Sequence, residues 1–307
     1  MIPRSSRVSP TCPTASSALN NVTRVALVTY RDLPDLNADD RLAADALTRL
    51  GLIPDAVCWD DPAVNWLEYR AVVLRSTWDY HHRTGEFHAW IDRMEAIGAP
   101  LWNRPPVLRW NTDKKYLARL SNPLLHPPPT VILDRGAGVN LRALLEARGW
   151  EEAVMKPTIS ADGFSTERTT LANAAADQGT LDAMLARGDV LIQELVPEIR
   201  LHGEISMMFF SGVFSHAVIK RPKAGEFRVQ ERLGGMIART DPPPALIACG
   251  QAVLDEHAPG CLYARLDAVV TAERFVLMEV ELVEPSLYLE HAPASAAAFA
   301  QAVQHIT

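Results

Sequence analysis

The sequence predicts a mixed fold, in which an α/β domain with a doubly wound parallel sheet precedes a longer α+β part. Two observations predict it. Short apolar runs such as Val25–Val28 alternate with helical patterns in the first third of the chain, as in parallel sheets. After residue 204 the strand patterns follow one another closely, and Gly212 offers a tight turn between two of them, as in antiparallel sheets.

The first domain is expected over residues 23–105, where strand and helix patterns alternate. Residues 1–22 are rich in Ser, Thr and Pro and have no apolar segment of the signal-peptide type, so we expect a disordered tail. The predicted elements of the first domain are strands at Arg24–Tyr30, Pro54–Cys58 and Ala71–Leu74 and helices at Asn37–Leu50 and Phe87–Met94.

Two further units are expected over residues 106–190 and 191–307, and the pair Pro105-Pro106 marks the boundary to the first domain. The central unit is predicted to contain helices at Thr112–Leu120, Leu141–Arg148 and Leu171–Ala186 and strands at Thr130–Leu133 and Ala153–Lys156. The C-terminal unit is predicted to contain strands at Val190–Val196, Ile205–Phe210, Val213–Lys220, Leu262–Val270 and Phe275–Leu282 and a helix at Pro244–His257.

The composition excludes several classes of protein. The chain has 30 basic and 37 acidic residues, a balance that argues against a nucleic-acid-binding protein. It has no apolar run of about 18 residues, so no membrane-spanning helix is expected. Its four cysteines form no CxxC pair, which argues against a structural zinc site and favours reduced thiols in a cytoplasmic protein.

Three acidic residues near the C-terminus give the strongest indication of chemistry. Glu279 and Glu281 are two positions apart, so on a strand both side chains point to the same face. Asp267 lies in the preceding strand pattern. Carboxylates held close together repel one another, and a divalent cation such as Mg²⁺ removes that penalty. The alternative is a pair of solvated acids on an edge strand, and the pair alone favours it.

Several cations could bind phosphate groups. Lys156 ends an apolar strand pattern and precedes Ser160–Thr166, a loop of small and hydroxyl residues that does not match the Walker A pattern. Lys114 lies in the first turn of a predicted helix, where a cation opposes the helix dipole unless an anion is bound. The basic segment 220–230 contains four cations followed by two glycines. Surface turns and solvated cations are the alternatives.

The order of these features along the chain resembles the ATP-grasp superfamily of carboxylate–amine ligases, which are similar to glutathione synthetase. The best-matching segments are Asn111–Leu117, Val154–Pro157, Ile192–Val196, Phe227–Gly235 and Leu266–Leu287. Arg75-Ser76-Thr77-Trp78-Asp79-Tyr80 and Trp110–Lys114 look like the branch that contains the cyclo-ligase of D-cycloserine biosynthesis, which acts on O-ureido-D-serine. The resemblance implies an N-terminal parallel-sheet domain and two α+β lobes that clasp ATP.

The resemblance also implies a role for each matching residue, with ATP and Mg²⁺, or Mn²⁺ in its place, as cofactors. The expected phosphate ligands are Lys114 and Lys156, the adenine and ribose contacts are Glu194, Leu195 and Glu204, and the metal ligands are Asp267, Glu279 and Glu281. The expected catalytic cations, which neutralise the γ-phosphate and the acyl phosphate, are Arg228, Lys220 and Arg221. Glu281 departs from the Asn that many members have, and the phosphate loop has a single glycine, Gly163.

The substrate is expected to contact the first domain, because open α/β sheets bind ligands at the carboxyl ends of their strands. Arg75 follows the strand Ala71–Leu74 and could pair with a substrate carboxylate, or form an ordinary salt bridge at about even odds. Ser76, Thr77 and Tyr80 could hydrogen-bond polar groups. The expected activity is ATP-dependent ligation or ring closure of a small amino acid derivative. An intermolecular peptide ligase and a non-catalytic ATP-binding module are the alternatives, and a homodimer is implied by the resemblance alone.

Overall fold

The computed structural model describes residues 23–120, 125–161, 163–223, 228–229, 234–272 and 274–307. The expected tail at residues 1–22 lies outside the described residues, as does most of the segment 224–233. The described strands form three sheets, and the mixed α/β and α+β class predicted from the sequence is confirmed. No helix of the described part combines the length and apolar character needed to cross a membrane.

The first sheet is fully parallel, with the strand order β2-β1-β3-β4. The central strands β1 and β3 are buried on both sides, so their residues are mostly apolar without alternation. Asn37 caps helix α1, because its side-chain oxygen accepts a hydrogen bond from the backbone N–H of Asp40. The elements are β1 (Arg24–Thr29), α1 (Ala38–Arg49), β2 (Ile53–Cys58), β3 (Ala71–Leu74), α2 (Thr84–Ala96) and β4 (Leu101–Trp102).

The second sheet is antiparallel, with the order β6-β9-β7-β8. The prolines of the predicted boundary begin helix α3, where proline is well tolerated at the first positions. Lys114–Arg119 forms a 3-10 helix within the predicted helix Thr112–Leu120. The elements are α3 (Pro105–Asn111), β5 (Leu125–His126), β6 (Thr130–Leu133), α4 (Leu141–Arg148), β7 (Glu152–Pro157), β8 (Glu167–Thr170), α5 (Ala174–Arg187) and β9 (Val190–Glu194).

The third sheet has six strands in the order β12-β11-β10-β13-β14-β5. All neighbours are antiparallel except β14 and β5. Strand β9 pairs with β6 and β7, so the expected division at residue 190 falls at the start of a strand of the second sheet. The elements are α6 (Glu198–His202), β10 (Glu204–Phe210), β11 (Val213–Arg221), β12 (Met236–Thr240), α7 (Pro244–His257), β13 (Tyr263–Val270), β14 (Phe275–Glu281) and α8 (Ser295–Ile306).

A shared core connects the first sheet with the third. Helix α8 packs on α1, and Phe299 and Val303 of α8 belong to the same buried cluster as Leu47 of α1 and Phe210 of β10. The C-terminus therefore returns to the first domain. The strands and α-helices that the sequence does not predict are β4, β5, β8, β12, α3, α6 and α8. Six of them are short or polar, and helix α8 is rich in alanine and has no side-chain cap.

Candidate active site

A cleft of about 720 Å³ lies where the second and third sheets meet the end of the first. That volume is typical of sites for small molecules and cofactors. Most of the side chains that the sequence singled out line it. The predicted residues that line the cleft are Tyr80, Lys114, Lys156, Glu194, Leu195, Glu204, Lys220, Arg228, Asp267, Glu279 and Glu281.

Strand register brings the carboxylates together. Asp267 of β13 lies opposite Glu279 of β14, and Arg265 lies opposite Glu281. Because side chains two positions apart share a face, these four charges form one block on the cleft side of the sheet. A register shift next to Asp267 leaves Met278 as an extra residue, and Met278 also lines the cleft. Bulges of this kind are common beside active sites, where they redirect a side chain.

Asp267 is surrounded by cations and donors. Its carboxylate accepts hydrogen bonds from Arg265 (Nε–Oδ1 3.0 Å), Lys220 (Nζ–Oδ2 3.0 Å) and the hydroxyl of Ser206 (2.6 Å). Burial opposes ionisation, but Arg265 and Lys220 outweigh it and hold the pKa of Asp267 below its usual range. Asp267 is therefore ionised at neutral pH.

Two other acids at this end of the cleft, Glu281 and Glu284, have negative charges that nearby cations compensate less well. Burial, with the nearby charges of Glu279 and Asp267, raises the pKa of Glu281 to about 8, although Glu281 pairs with Arg265. Burial also raises the pKa of Glu284, which lies just after β14, to about 7. The cleft thus holds more buried carboxylate than its own cations neutralise, and such a site favours an added cation.

The donor set suits a hard divalent cation held jointly with phosphate oxygens. In the described part of the chain, no group of three or more His, Cys, Asp or Glu is arranged to hold a metal by itself. Mg²⁺, however, is usually bound by one or two carboxylates together with substrate phosphates and water. Asp267, Glu279 and Glu281 offer carboxylates of this kind on one face of two paired strands.

Two lysines flank the loop that follows β7. Lys114 is buried, and its ammonium contacts Glu279 (Nζ–Oε1 3.0 Å) and the carbonyl oxygen of Ser160 (2.5 Å). Lys156 has no ion pair within 4 Å among the described residues. Burial lowers the pKa of Lys156, against the opposing influence of Glu279. An ammonium without a partner beside a loop of small residues is suited to receive an anion.

Glu204 and Lys220 form a buried pair (Oε1–Nζ 2.5 Å) across β10 and β11. Gly203 makes this close pairing possible. It has a φ of +77°, and a Cβ there would lie 2.5 Å from the carbonyl oxygen of Lys220. Burial raises the pKa of Glu204, although Lys220 opposes the shift. The adjacent strand end offers backbone at Glu194 and Leu195, whose N–H groups donate to Pro129 and Glu152.

Four predicted site residues lie away from the cleft, which corrects the expectation of ligand contacts for them. The Arg75 guanidinium is 1% exposed and bonds to Asp40 (2.9 Å) and to the carbonyl oxygen of Pro285 (2.6 Å). The Ser76 hydroxyl donates to Asp40, and Thr77 is buried. Arg221 is exposed at the end of β11. The fold satisfies Arg75 and Ser76 and the solvent satisfies Arg221, whereas the buried hydroxyl of Thr77 has no hydrogen-bond partner among the described residues. Since none of the four lines the cleft, we assign them no ligand.

The cleft also contains residues that the sequence analysis missed. Arg265 could have been found, because it lies two positions before Asp267 on the same strand face. Glu284, Trp78 and His81 gave no such signal, since they lie in turns where no periodicity fixes the direction of a side chain. Burial and the neighbouring His82 lower the pKa of His81 to about 4, so this ring is neutral at pH 7.

Comparisons with known proteins identify the family of this chain. A family model for the N-terminal domain of D-cycloserine synthetase DcsG matches residues 25–103. The chain is 31% identical to the cycloserine biosynthesis protein DcsG of Streptomyces lavendulae over 294 residues, which covers 91% of this chain and 97% of that protein.

Solved structures show the same fold. The crystal structure of D-cycloserine synthetase DcsG matches with a TM-score of 0.82 and 28% identity, over 92% of this chain and all of that one. The ATP-grasp ligase PsnB, in a complex with Mg and ADP, matches with a TM-score of 0.65 and 14% identity, over 94% of this chain and 99% of that one. The chain therefore belongs to the ATP-grasp ligases, in the family of the cycloserine biosynthesis protein DcsG.

Proposed function

We propose that this ligase uses ATP to activate the carboxylate of a small amino-acid-type molecule as an acyl phosphate, which a nitrogen nucleophile then attacks. The observation that carries the proposal is the convergence of Asp267, Glu279, Glu281, Lys114 and Lys156 on one cleft. A carboxylate is a poor electrophile because its leaving group would be oxide. Phosphorylation supplies a better leaving group, so positioning and charge compensation are the main tasks of the protein.

The nucleotide occupies the side of the cleft formed by the second sheet. Lys156, which has no ion pair among the described residues, binds a phosphate, and Lys114 binds a neighbouring one. Glu194 and Leu195 contact the adenine, and Glu204 contacts the ribose. Mg²⁺, or Mn²⁺ in its place, would be held by Asp267, Glu279 and Glu281 and would neutralise the phosphate oxygens. Because Lys114 is paired with Glu279 (3.0 Å), we expect this pair to separate when Glu279 takes a metal.

The reacting end of the cleft requires positive charge where the acyl phosphate forms. Arg265 and Arg228 line the cleft, and Lys220 lies beside Asp267. Their cationic groups stabilise the charge that accumulates on the phosphoryl oxygens during transfer. Arg265 also orients Asp267 and Glu281, since it bonds to both carboxylates. We expect this orientation to persist when the cleft is filled.

The finer proposal is intramolecular ring closure, as in the conversion of O-ureidoserine to cycloserine in antibiotic biosynthesis. The support is the likeness over 97% of the cycloserine biosynthesis protein DcsG. In ring closure the ureido nitrogen bonded to oxygen attacks the acyl carbon of its own molecule and phosphate leaves, so a single small substrate suffices and the attack benefits from a high effective concentration. Hydrolysis of the N-carbamoyl group, which leaves as carbamate, then completes the conversion of O-ureidoserine to cycloserine. The alternative is an intermolecular ligase that joins two amino acids or extends a peptide.

The test is a screen for phosphate release from ATP and Mg²⁺ with the D and L forms of O-ureidoserine and with single and paired amino acids, followed by product mass. We expect release with one small carboxylate alone and a product lighter than the substrate. Release that requires two different amino acids would favour the intermolecular alternative. No release with any carboxylate would contradict the proposal.

Replacement of the central carboxylate tests the site itself. We expect Glu279→Gln to lower the rate of phosphate release about 10²- to 10³-fold, because it removes a ligand of the cation that would compensate the charge of the transferred phosphoryl group. Glu151→Gln, at an exposed acid just before strand β7, is the matched control and should retain full activity. An active Glu279→Gln protein with unchanged Mg²⁺ dependence would contradict the assigned site.

A further inference from the structure

The side chain of Glu284 is a buried acid of the cleft that forms no ion pair with the described residues, although the charges of Lys114 and Arg265 act on it from farther away. Glu284 is 8% exposed and lines the cleft just beyond β14. Among the described residues, its carboxylate has no ion pair and no hydrogen bond to another residue. The other buried acids of the cleft have a cation at hand: Asp267 and Glu281 have Arg265, Glu279 has Lys114, and Glu204 has Lys220.

The backbone around Glu284 is fixed in place by side chains from other parts of the fold. Trp78 donates its indole N–H to the carbonyl oxygen of Glu284 (3.3 Å), and Arg75 donates to that of Pro285 (2.6 Å). On the preceding side, Tyr263 donates its hydroxyl to the carbonyl oxygen of Val283 (2.8 Å). A carboxylate on such a rigid turn is pre-organised, so binding a ligand there costs little conformational entropy.

The position of Glu284 separates it from the proposed adenine site. Trp78 and Tyr80 come from the end of the first sheet, and both line the cleft beside the turn. The charges of Glu284, Glu279 and Glu281 all contribute to the raised pKa of Tyr80, after burial itself, so this end of the cleft also borders the proposed metal ligands. The proposed adenine contacts, in contrast, lie at the end of β9 of the second sheet. Glu284 therefore lies between the proposed metal ligands and the side chains of the first domain, where the substrate is expected to bind.

We infer that Glu284 binds the ammonium group of the substrate and so restricts this ligase to carboxylates that carry an α-amino group. The inference rests on the proposed function. A buried carboxylate without a counter-ion is unfavourable until a cation reaches it, and a substrate ammonium is a cation of the right charge and size. The ion pair would also keep the amine protonated. A protonated amine is not a nucleophile, so it cannot attack the acyl phosphate in place of the intended nitrogen.

The experiment compares O-ureidoserine with 3-(ureidooxy)propanoate, which differs only by the absence of the amino group. Binding of each compound to the protein loaded with Mg²⁺ and ADP is measured by calorimetry, in the parent protein and in Glu284→Gln. We expect the parent to bind the amino compound about thirtyfold more tightly or better, as for the loss of one partner from a buried charge pair. We expect Glu284→Gln to reduce that preference to within about threefold. Glu290→Gln, an exposed acid of the same segment, is the matched control.

The outcomes separate this inference from the proposed function. Equal affinity of the parent protein for the two compounds would overturn the ammonium contact while phosphate release could still support the ligase. A preference for the amino compound that survives in folded Glu284→Gln would overturn it as well. If that variant kept the preference but changed its requirement for Mg²⁺, Glu284 would be a metal ligand and not an ammonium contact. Should Glu284→Gln fail to fold, the comparison of the two compounds on the parent protein remains decisive. Binding is read without turnover, so a failure of phosphate release leaves it interpretable.

Discussion

Arg75 and Lys156 are two cations at the ends of apolar strands, and the structure gives them different surroundings. Arg75 directly follows strand β3, and Lys156 is the last residue but one of β7. Both end apolar strands, so both were candidates for ligand contacts. The Arg75 guanidinium bonds to Asp40, Leu74 and Pro285, all within the fold. Lys156 lines the cleft and has no ion pair in the described part of the chain. A buried cation that the fold already satisfies is structural, whereas one that it leaves unsatisfied is available to a ligand.

The first test of this distinction between a structural and a ligand-binding cation is made at Arg75, where we expect the largest effect. Arg75→Ala leaves Asp40 buried without its cation, and the loss of one partner of a buried pair costs about 3–5 kcal/mol of unfolding free energy. Urea denaturation followed by circular dichroism would measure it.

A substrate contact would give the opposite pattern for Arg75. The stability of Arg75→Ala would then be close to that of the parent, and KM for the substrate would rise instead. Arg70→Ala, at an exposed arginine before β3, is the matched control and should change neither quantity appreciably. A stable Arg75→Ala protein with a raised KM would restore the sequence interpretation and would remove the distinction between the two cations.

The second test is made at Lys156, the cation that we assign to a ligand. Lys156→Met removes a partly desolvated ammonium that the described residues leave without an ion pair, so we expect no loss of stability. Because a charge-assisted hydrogen bond contributes about 1.5–3 kcal/mol, the affinity for ATP should fall about tenfold to hundredfold. Calorimetric titration with a non-hydrolysable ATP analogue would measure the change.

Lys114→Met is the informative partner variant for Lys156→Met. It leaves Glu279 buried without its closest cation, so it should lose both stability and nucleotide affinity. If Lys156→Met were instead the less stable of the two proteins, Lys156 would have a structural partner, and its assignment to a phosphate would have no support.

Much of the fold could be predicted from the sequence because local patterns dominate it. The strands Ala71–Leu74 and Thr130–Leu133 and the helix Pro244–His257 have the predicted bounds, since apolar periodicity and proline signals coincide there. Strand β12 could not be predicted in the same way. It lies at the edge of its sheet, and its sequence MIART has no strict alternation. Pairing with β11 produces this strand, and pairing is a tertiary effect.

The residues of the site also divide into those that local patterns predict and those that depend on tertiary contacts. Glu279 and Glu281 could be predicted to share a face because a strand has a fixed period, and the register of β13 and β14 places Asp267 beside them. The partners of Arg75 could not be predicted, since Asp40 and Pro285 are 35 and 210 residues away along the chain. Glu284 was missed for the same reason. Its importance comes from the absence of a partner, which only a folded structure reveals.

The smallest effect that we expect is on the pH dependence of stability, and it comes from His216, a buried residue whose ring is satisfied within the fold like Arg75. His216 is 2% exposed, and its Nε2–H donates to the carbonyl oxygen of Leu287 (2.8 Å), in the segment that also contains Glu284. Burial lowers the pKa of His216 to about 4, and Arg239 adds to the shift. The unfolded chain has a pKa near 6.5 for histidine, so it binds the proton first as the pH falls. The contribution of His216 to stability is therefore complete above about pH 6.5 and is lost as the pH falls towards 4.

We expect His216→Gln to remove this part of the acid sensitivity. Each unit of pKa shift corresponds to about 1.4 kcal/mol, and after allowance for partial relaxation we expect about 1–2 kcal/mol between pH 6.5 and pH 4.5. Glutamine retains a side-chain N–H that can donate to Leu287 but does not titrate. Urea denaturation of both proteins at several pH values isolates the difference, and His305→Gln in the last turn of α8 is the control. The expectation fails if the unfolding free energies of the parent and His216→Gln change with pH in parallel. His216 would then take up its proton in the folded state as readily as in the unfolded chain. Its contact with Leu287 would in that case involve a charged donor at acid pH instead of a neutral one.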